Sequence, residues 1–330
     1  TLSLHDALPI SIVKRLPFFK TFHGTFVSLE KVPSIYVVPM GLPTEESEVW
    51  MTGNQCVFLA LQPKLDCLYR ELLRAGDITH TDCYVDFIFP KFPHLKQTTR
   101  MLHLEYVRGE LLVFYADENN RSRVINSMRT LAFIPDAFGR PCMASHFYDP
   151  GVKVFAVMLP QESKPSEPFD STDWLVLLRE IGLKQKVSKD QFQTFANEVA
   201  TQAELANEFS RPTLERKSAV LVKHLLKETS LHDENFLNDL CTIKFVAPQK
   251  ASVELTHLHK QHFVKSGSQD QLPPFIPFKD SVTWTDENER LVWTSASLLP
   301  SWAIPDLKCY PKLAKLKVLS KPRSEEHTSE

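Results

Sequence analysis

The clearest periodicity along the chain begins at Trp174. Trp174, Leu177, Leu178 and Ile181 share one helical face, Gly182 stands where a left-handed residue closes a helix, and Leu183 can fold back as its apolar partner. Ser188 and Gln191 form the S-x-x-Q of a capping box, and Phe192, Phe195, Ala196, Val199 and Ala200 follow on one stripe, predicting a helix to about Glu208. Arg211-Pro212 breaks it. Leu214, Leu221, Val222, Leu225 and Leu226 then mark another helix, and Phe236, Leu237 and Leu240 a shorter one before a strand at Ile243 to Val246.

Upstream the pattern is more mixed. Thr25 to Leu29 and Ile35 to Val38 are short β-branched or aromatic runs, read as one two-stranded element, followed by a polar connector from Gly41 to Asn54. After the apolar run Val57 to Leu61, Pro63 suits the first position of a helix that Gly76 would stop near Ala75. Thr79 or Thr81 can cap a second helix to about Phe89, interrupted by Pro90 and Pro93, and a third spans His94 to Arg108, so 63–108 reads as a helical hairpin region rather than a sheet. Leu111 to Tyr115 reads as the end of a helical element, Asp117 to Arg123 as a polar loop, and Thr130 to Pro135 as a strand with a turn at Asp136 to Pro141. At Asp149-Pro150-Gly151 an Asp cap and a Pro at the first helical position precede Val152, Phe155, Ala156 and Leu159, which predicts a short buried helix. The same tripeptide also fits a type II turn into a strand.

Two Pro-rich connectors, Pro160 to Asp170 and Ser266 to Pro277, divide the pattern. Beyond the second, Val282 to Trp284 and Arg290 to Thr294 suggest a hairpin, and Pro311 a final helix reaching Leu319. The fold class is α+β, mainly α-helical: amphipathic helices with short strands and hairpins. Its expected organisation is a mixed subdomain over 11–159, a connector over 160–170, a helical subdomain over 171–265, a connector over 266–277 and a small hairpin-plus-helix segment over 278–322. Residues 1–10 and 323–330 read like translated adapter oligonucleotides and are set apart, placing both natural termini beyond Ser11 to Pro322.

Charge changes this picture little. With 38 basic against 40 acidic residues no global field favours nucleic acid or an anionic membrane, and no apolar run approaches the roughly 18 residues of a span. The six cysteines are scattered without a C-x-x-C pair, which predicts reduced core residues and a cytoplasmic location.

Candidate chemistry is sparse. Only nine glycines occur, about 3% against a usual ~7%, and none are spaced as a dinucleotide fingerprint or phosphate loop. Glu254, His257, His259 and His262 could ligate zinc if 257 and 259 shared a strand face, but they also suit a solvated helix surface. His80 and Cys83 could begin a metal or thiol site, against the alternative of a surface His beside a buried Cys. Asp233 and Glu234 could serve acid/base chemistry, yet they suit the first turn of a helix. Lys308, Lys312, Lys315, Lys317 and Lys321 make a basic C-terminal segment that fits either an anionic partner or lysine stems covering apolar neighbours. Trp50, Trp174, Trp284, Trp293 and Trp302 read as core or interface anchors. His146, Tyr148 and Asp149 gather beside a tight turn, where Asp149 reads as a cap and the stretch from Ala144 to Leu183 as a hinge-like junction.

An ordered set of blocks carries a resemblance. LPFFKTFHGTFVSL at Leu16 to Leu29, HFYDPGVKVFAVML at His146 to Leu159, LLREIGLKQKV within Trp174 to Val187, and WTSASLLPSWAIP at Trp293 to Pro305 resemble the long internal repeats of the sacsin family. The resemblance implies cytoplasmic chaperone or co-chaperone work, in repeats that open with an ATPase related to the ninety-kilodalton heat-shock chaperones. It implies protein clients and neighbouring repeats as partners. The seventy-kilodalton heat-shock chaperone and the proteasome would be engaged through a J domain and a ubiquitin-like domain elsewhere. The glycine boxes of the ATPase and the His-Pro-Asp of a J domain are absent from this sequence. No catalytic, cofactor or metal residue is carried over, and the expectation is a non-catalytic linking portion. A structural scaffold without client binding, or a metal- or thiol-dependent enzyme, are the alternatives.

Overall fold

The computed structural model describes residues 12–22, 24–43, 56–60, 64, 68–114, 117–248, 274–281, 299–303, 307 and 309–319. The histidine cluster at 257–262, the hairpin expected over 282–294, Lys308 and Lys321, three of the tryptophans and both terminal stretches lie outside them. Within them the chain is mainly helical with small sheets, the α+β class expected. It divides into two units, Thr1–Asp149 with Gln161–Lys184 and Pro150–Pro160 with Gln185–Glu330, so the chain passes between them three times.

In the first unit, β3 (Ser34–Val38) lies between β4 (Cys56–Ala60) and β5 (Gly76–Asp77), parallel to both, with Ser34 opposite Cys56 and Tyr36 opposite Gly76. Alternation along β3 divides its side chains. Ile35 and Val37 join Phe19, Leu29, Leu59, Tyr69 and Leu73 in one core, while Val38, with Tyr36 packed alongside, joins Phe58 in a larger one. Burial on both faces is the ordinary condition of a parallel sheet. The two strands expected to pair with each other therefore do not. Phe26–Val27 (β2) pairs antiparallel with Phe19–Lys20 (β1), and β3 takes partners further along the chain.

The stretch read as helices alone, 63–108, thus contributes one strand, β5, and the apolar run before it supplies β4. Gly76 is not the helical stop: Leu68–Leu72 is helical, Arg74 makes the exit with φ 53°, and Gly76 opens β5. Thr79 does cap the next helix, in a full capping box with Asp82. That helix widens to π geometry over Cys83–Ile88 and tightens to 3-10 over Phe89–His94, so Pro90 and Pro93 change its type rather than end it. The helix expected from His94 starts at Gln97 and runs to Gly109, and Leu111–Phe114 is helical as expected.

The polar loop expected at Asp117 to Arg123 is instead the start of a helix, Glu118–Arg129. Asp117 accepts from the Asn120 N–H at 2.7 Å, and Val124, Ile125 and Met128 are buried one turn later. The strand beyond it shortens to Ile134–Pro135 (β6), paired with Pro141–Cys142 (β7) around the expected turn, where Gly139 takes φ 76°. The first connector is not bare surface: Phe169 is buried against Phe133 and Trp174. The helix Thr172–Glu180 closes as predicted, with Gly182 at φ 117°, the Leu183 N–H donating to the Leu178 carbonyl at 2.9 Å, and Leu183 buried.

The second unit is built from helices Lys153–Met158, Lys189–Glu204, Arg211–Lys227 and Glu234–Leu240. Ser188 and Gln191 make the predicted capping box, though the helix ends at Glu204 rather than near Glu208. Pro212 sits in the first turn of the next helix, where its missing N–H costs nothing. Phe192 packs against Phe236 and Phe245, and Phe245 against Phe278. The strand expected at Ile243 to Val246 reduces to one bridge, Val246 to Ile276. Phe275 and Ile276 are buried, so the end of the second connector belongs to the core. Pro311 starts a 3-10 turn, Pro311–Leu316, that buries Leu313 and Leu316.

Candidate functional site

The junction at Ala144 to Leu183 is built from backbone pairing before side chains enter. After the 3-10 turn Ala144–His146, Tyr148 bridges Lys184. The Lys184 N–H donates to the Phe147 carbonyl at 3.1 Å, the Asp149 N–H to the Lys184 carbonyl at 3.0 Å, and the Tyr148 N–H to the Ser163 carbonyl at 3.0 Å. These residues stand at Asp149, just after Gln161 and at Lys184, which are the first unit's ends of the three crossings. One hydrogen-bonded set therefore holds all three together.

Side chains reinforce it. The Lys184 ammonium lies 4.5 Å from the centre of the Tyr148 ring. Asp149, its side chain 4% exposed, receives both arms of Arg179: Nε to Oδ2 at 2.6 Å and Nη2 to Oδ1 at 3.1 Å. The Asp149 hydrogen bond raises the guanidinium's pKa further, and helix Thr172–Glu180 brings it there. Such a forked pair is a clamp. The helix after the turn begins at Lys153, with Val152 at its N-cap and no side-chain cap, so it starts later than the Asp149-Pro150 reading placed it. Its buried face is Val154, Phe155 and Met158, while Ala156 is exposed. His146 is exposed.

His80 and Cys83 occupy different surroundings. The His80 Nε2 lies 3.3 Å from the Met40 carbonyl. Cys83 is fully buried, and burial together with the charge of Asp82 pushes its thiol up to about 12, so it stays protonated at neutral pH. Burial draws the neighbouring Asp82 upward, but hydrogen bonds from Thr79 and Arg123 outweigh it and hold its carboxyl below the usual value.

The sequence reading missed His103. It is fully buried, its Nδ1 3.0 Å from the Tyr84 hydroxyl, and burial lowers its pKa to about 4, keeping it neutral. Its Nε2 has no partner among the described residues. The signal was present: Thr99, His103 and Val107 recur at i+4 and all are buried.

Asp233 caps Glu234–Leu240, accepting from the Phe236 N–H at 3.1 Å, and that bond lowers its pKa. Glu234 pairs with Lys315 at 3.2 Å, and Lys312 is exposed. Trp174 is a core residue with the Arg108 guanidinium 5.2 Å from its ring centre, and Lys223 lies over Trp302. Among the described residues no group of three or more His, Cys, Asp or Glu could hold a metal ion, and no helix is long and apolar enough to cross a membrane.

Against known proteins, the chain is 30% identical to human sacsin over 316 residues, an alignment covering 90% of this chain and 7% of sacsin. The chain thus spans a small part of that relative's length. No family model and no solved structure matches it.

Proposed function

We propose that this chain is a linking portion of a sacsin-type cytoplasmic chaperone or co-chaperone, carrying no active site of its own and offering surface to protein clients and to neighbouring repeats. The observation that carries this reading is an alignment with sacsin running through 90% of the chain. The scarcity of glycine supports the absence of a nucleotide cradle. Protein contact is supported by large apolar side chains held in the open: Phe138 is 82% exposed, Leu205 84% and Phe209 93%. Leu205 precedes, and Phe209 lies in, a turn in which the Asn207 side chain accepts from the N–H groups of Phe209 and Ser210.

Titration of the full chain with ATP in a calorimeter is expected to give no saturable heat. Micromolar binding would overturn the proposal. In light scattering, the chain is expected to suppress aggregation of a heat-labile model client, and the double variant Leu205→Ser/Phe209→Ser to lose at least half of that effect. An inert wild-type chain would leave the scaffold reading in its place.

A further inference from the structure

Apolar side chains and unpaired charges are left open together at two places in the chain, and the two places carry opposite charge. The first is in the first unit. β1 and β2 set Lys20 directly opposite Phe26, so these side chains share one face, while Phe19 on the other face is buried. Phe26 is 62% exposed, and Ile12, Leu16 and Phe18, just before β1, are exposed as well. The Leu29 N–H donates to the Lys14 carbonyl at 2.8 Å, which ties the residues before β1 to those after β2. Of the charged residues over 12–31, Arg15 pairs with Glu30 at 2.9 Å. Lys14, Lys20 and Lys31 have no ion pair among the described residues, so this apolar hairpin carries uncompensated positive charge.

The second place is in the second unit, between helices Lys189–Glu204 and Arg211–Lys227. Here Leu205 and Phe209 stand open, and the Ser210 Oγ accepts from the Asn207 N–H at 3.1 Å, closing the Asn207 turn from its other side. Glu204 and Glu208, both exposed, are the only charged residues over 201–210, and neither has an ion pair among the described residues. The next charge along the chain gives no compensation. Arg211 is buried, bonded to Glu215 at 2.9 Å, with its guanidinium 4.6 Å from the centre of the Phe275 ring.

Open apolar surface gains free energy from being covered, and the unpaired charges beside it decide which cover is tolerated, because like charges brought together repel and opposite charges attract. The acidic loop therefore rejects an anionic membrane, and the lysine-bearing hairpin favours an acidic apolar segment. The chain supplies such a segment itself. Because the two surfaces differ from each other, contact between them joins copies head to tail rather than about a two-fold axis.

We infer that the hairpin of one copy receives the acidic loop of a second copy, with Leu205 and Phe209 against Phe18 and Phe26, and Glu204 and Glu208 against Lys20 and Lys31. The inference rests on the neighbouring-repeat part of the proposed function and gives that contact its two surfaces.

Sedimentation velocity on the full chain tests it. The wild type is expected to associate with rising concentration into species larger than a dimer, since a head-to-tail contact leaves a hairpin and a loop open at its ends, and to dissociate as salt screens the contact. Glu204→Lys/Glu208→Lys and Lys20→Glu/Lys31→Glu are each expected to weaken association at least tenfold, and a chain carrying all four substitutions to recover it. Mixing Leu205→Ser/Phe209→Ser with Lys20→Glu/Lys31→Glu leaves one intact hairpin and one intact loop, so a one-to-one complex and nothing larger should form. A wild type that stays monomeric in low salt at its highest soluble concentration overturns the inference, as does a closed dimer, or association that the charge reversals leave unchanged. Binding of the wild type to phosphatidylserine vesicles without self-association gives the hairpin to a membrane surface and overturns it too. The wild-type measurements decide the outcome even where a variant fails to fold. A chain that suppresses client aggregation yet stays monomeric sinks this inference alone, whereas one that associates yet is inert toward clients leaves it standing and removes the client reading.

Discussion

Arg179 shows how a residue's role depends on a distant partner. Removing its guanidinium leaves Asp149, 4% exposed, without the forked partner it now has. Arg179→Ala is expected to cost about 2–3 kcal/mol in urea denaturation, below the figure for a fully buried pair because the guanidinium itself is 35% exposed. His103 sets a second expectation. Its pKa lies at about 4 in the folded state against an ordinary value near 6.5, so both states are neutral above pH 6.5 and it costs nothing there. As pH falls from about 6.5 to 4 only the unfolded state takes up the proton, and stability should drop by roughly 3 kcal/mol. Asp82 and Asp233, whose pKa values are lowered, lose their contributions at more acid pH, below the ordinary carboxylate value. Denaturation midpoints at pH 7 and 4.5 for wild type and His103→Phe should show a smaller pH dependence in the variant. The role of Asp149 was not legible locally. Asp149 precedes Pro-Gly and so resembles a cap, whereas its partner lies thirty residues on, and ion pairing over that distance leaves no periodic trace.

At the scale of elements, capping and helix closure were read correctly at Thr79, Ser188, Asp233 and Gly182 but not at Gly76, which opens a strand, or at Asp149, which caps no helix. Helix Glu118–Arg129 was missed because its first turn faces solvent and is wholly polar, with the buried residues only in its second half. Asp117→Ala should therefore destabilise it by about 1 kcal/mol, seen as faster amide exchange in its first turn. Gly182→Ala meets no steric obstacle, since the nearest atom to an added Cβ is the Ser145 Cβ at 3.8 Å. Its cost comes from φ 117°, and about 1–3 kcal/mol is expected in thermal or urea unfolding. Strand partners were the weakest part of the reading. A five-residue run such as Ser34–Val38 shows a strand but not its neighbour, and this one pairs with runs some twenty and forty residues away.

For the whole molecule, the interleaved units make a specific expectation. Phe192 is fully buried among Phe236 and Phe245, so Phe192→Ala should cost about 3–5 kcal/mol. Hydrogen exchange should rise mainly in Pro150–Pro160 and from Gln185 onward, and an equal rise in the first unit would show that the chain unfolds as one body. By itself the sequence determined the mainly helical class, most helices, their caps and the scarcity of phosphate-binding glycine, because these depend on residues within a few positions of each other. The tertiary structure alone decided which strands pair, that Phe169 and Phe275 are core residues, and that Asp149 clamps Arg179. Each of these joins residues distant in sequence through burial and charge, and such meetings are set by how the elements pack.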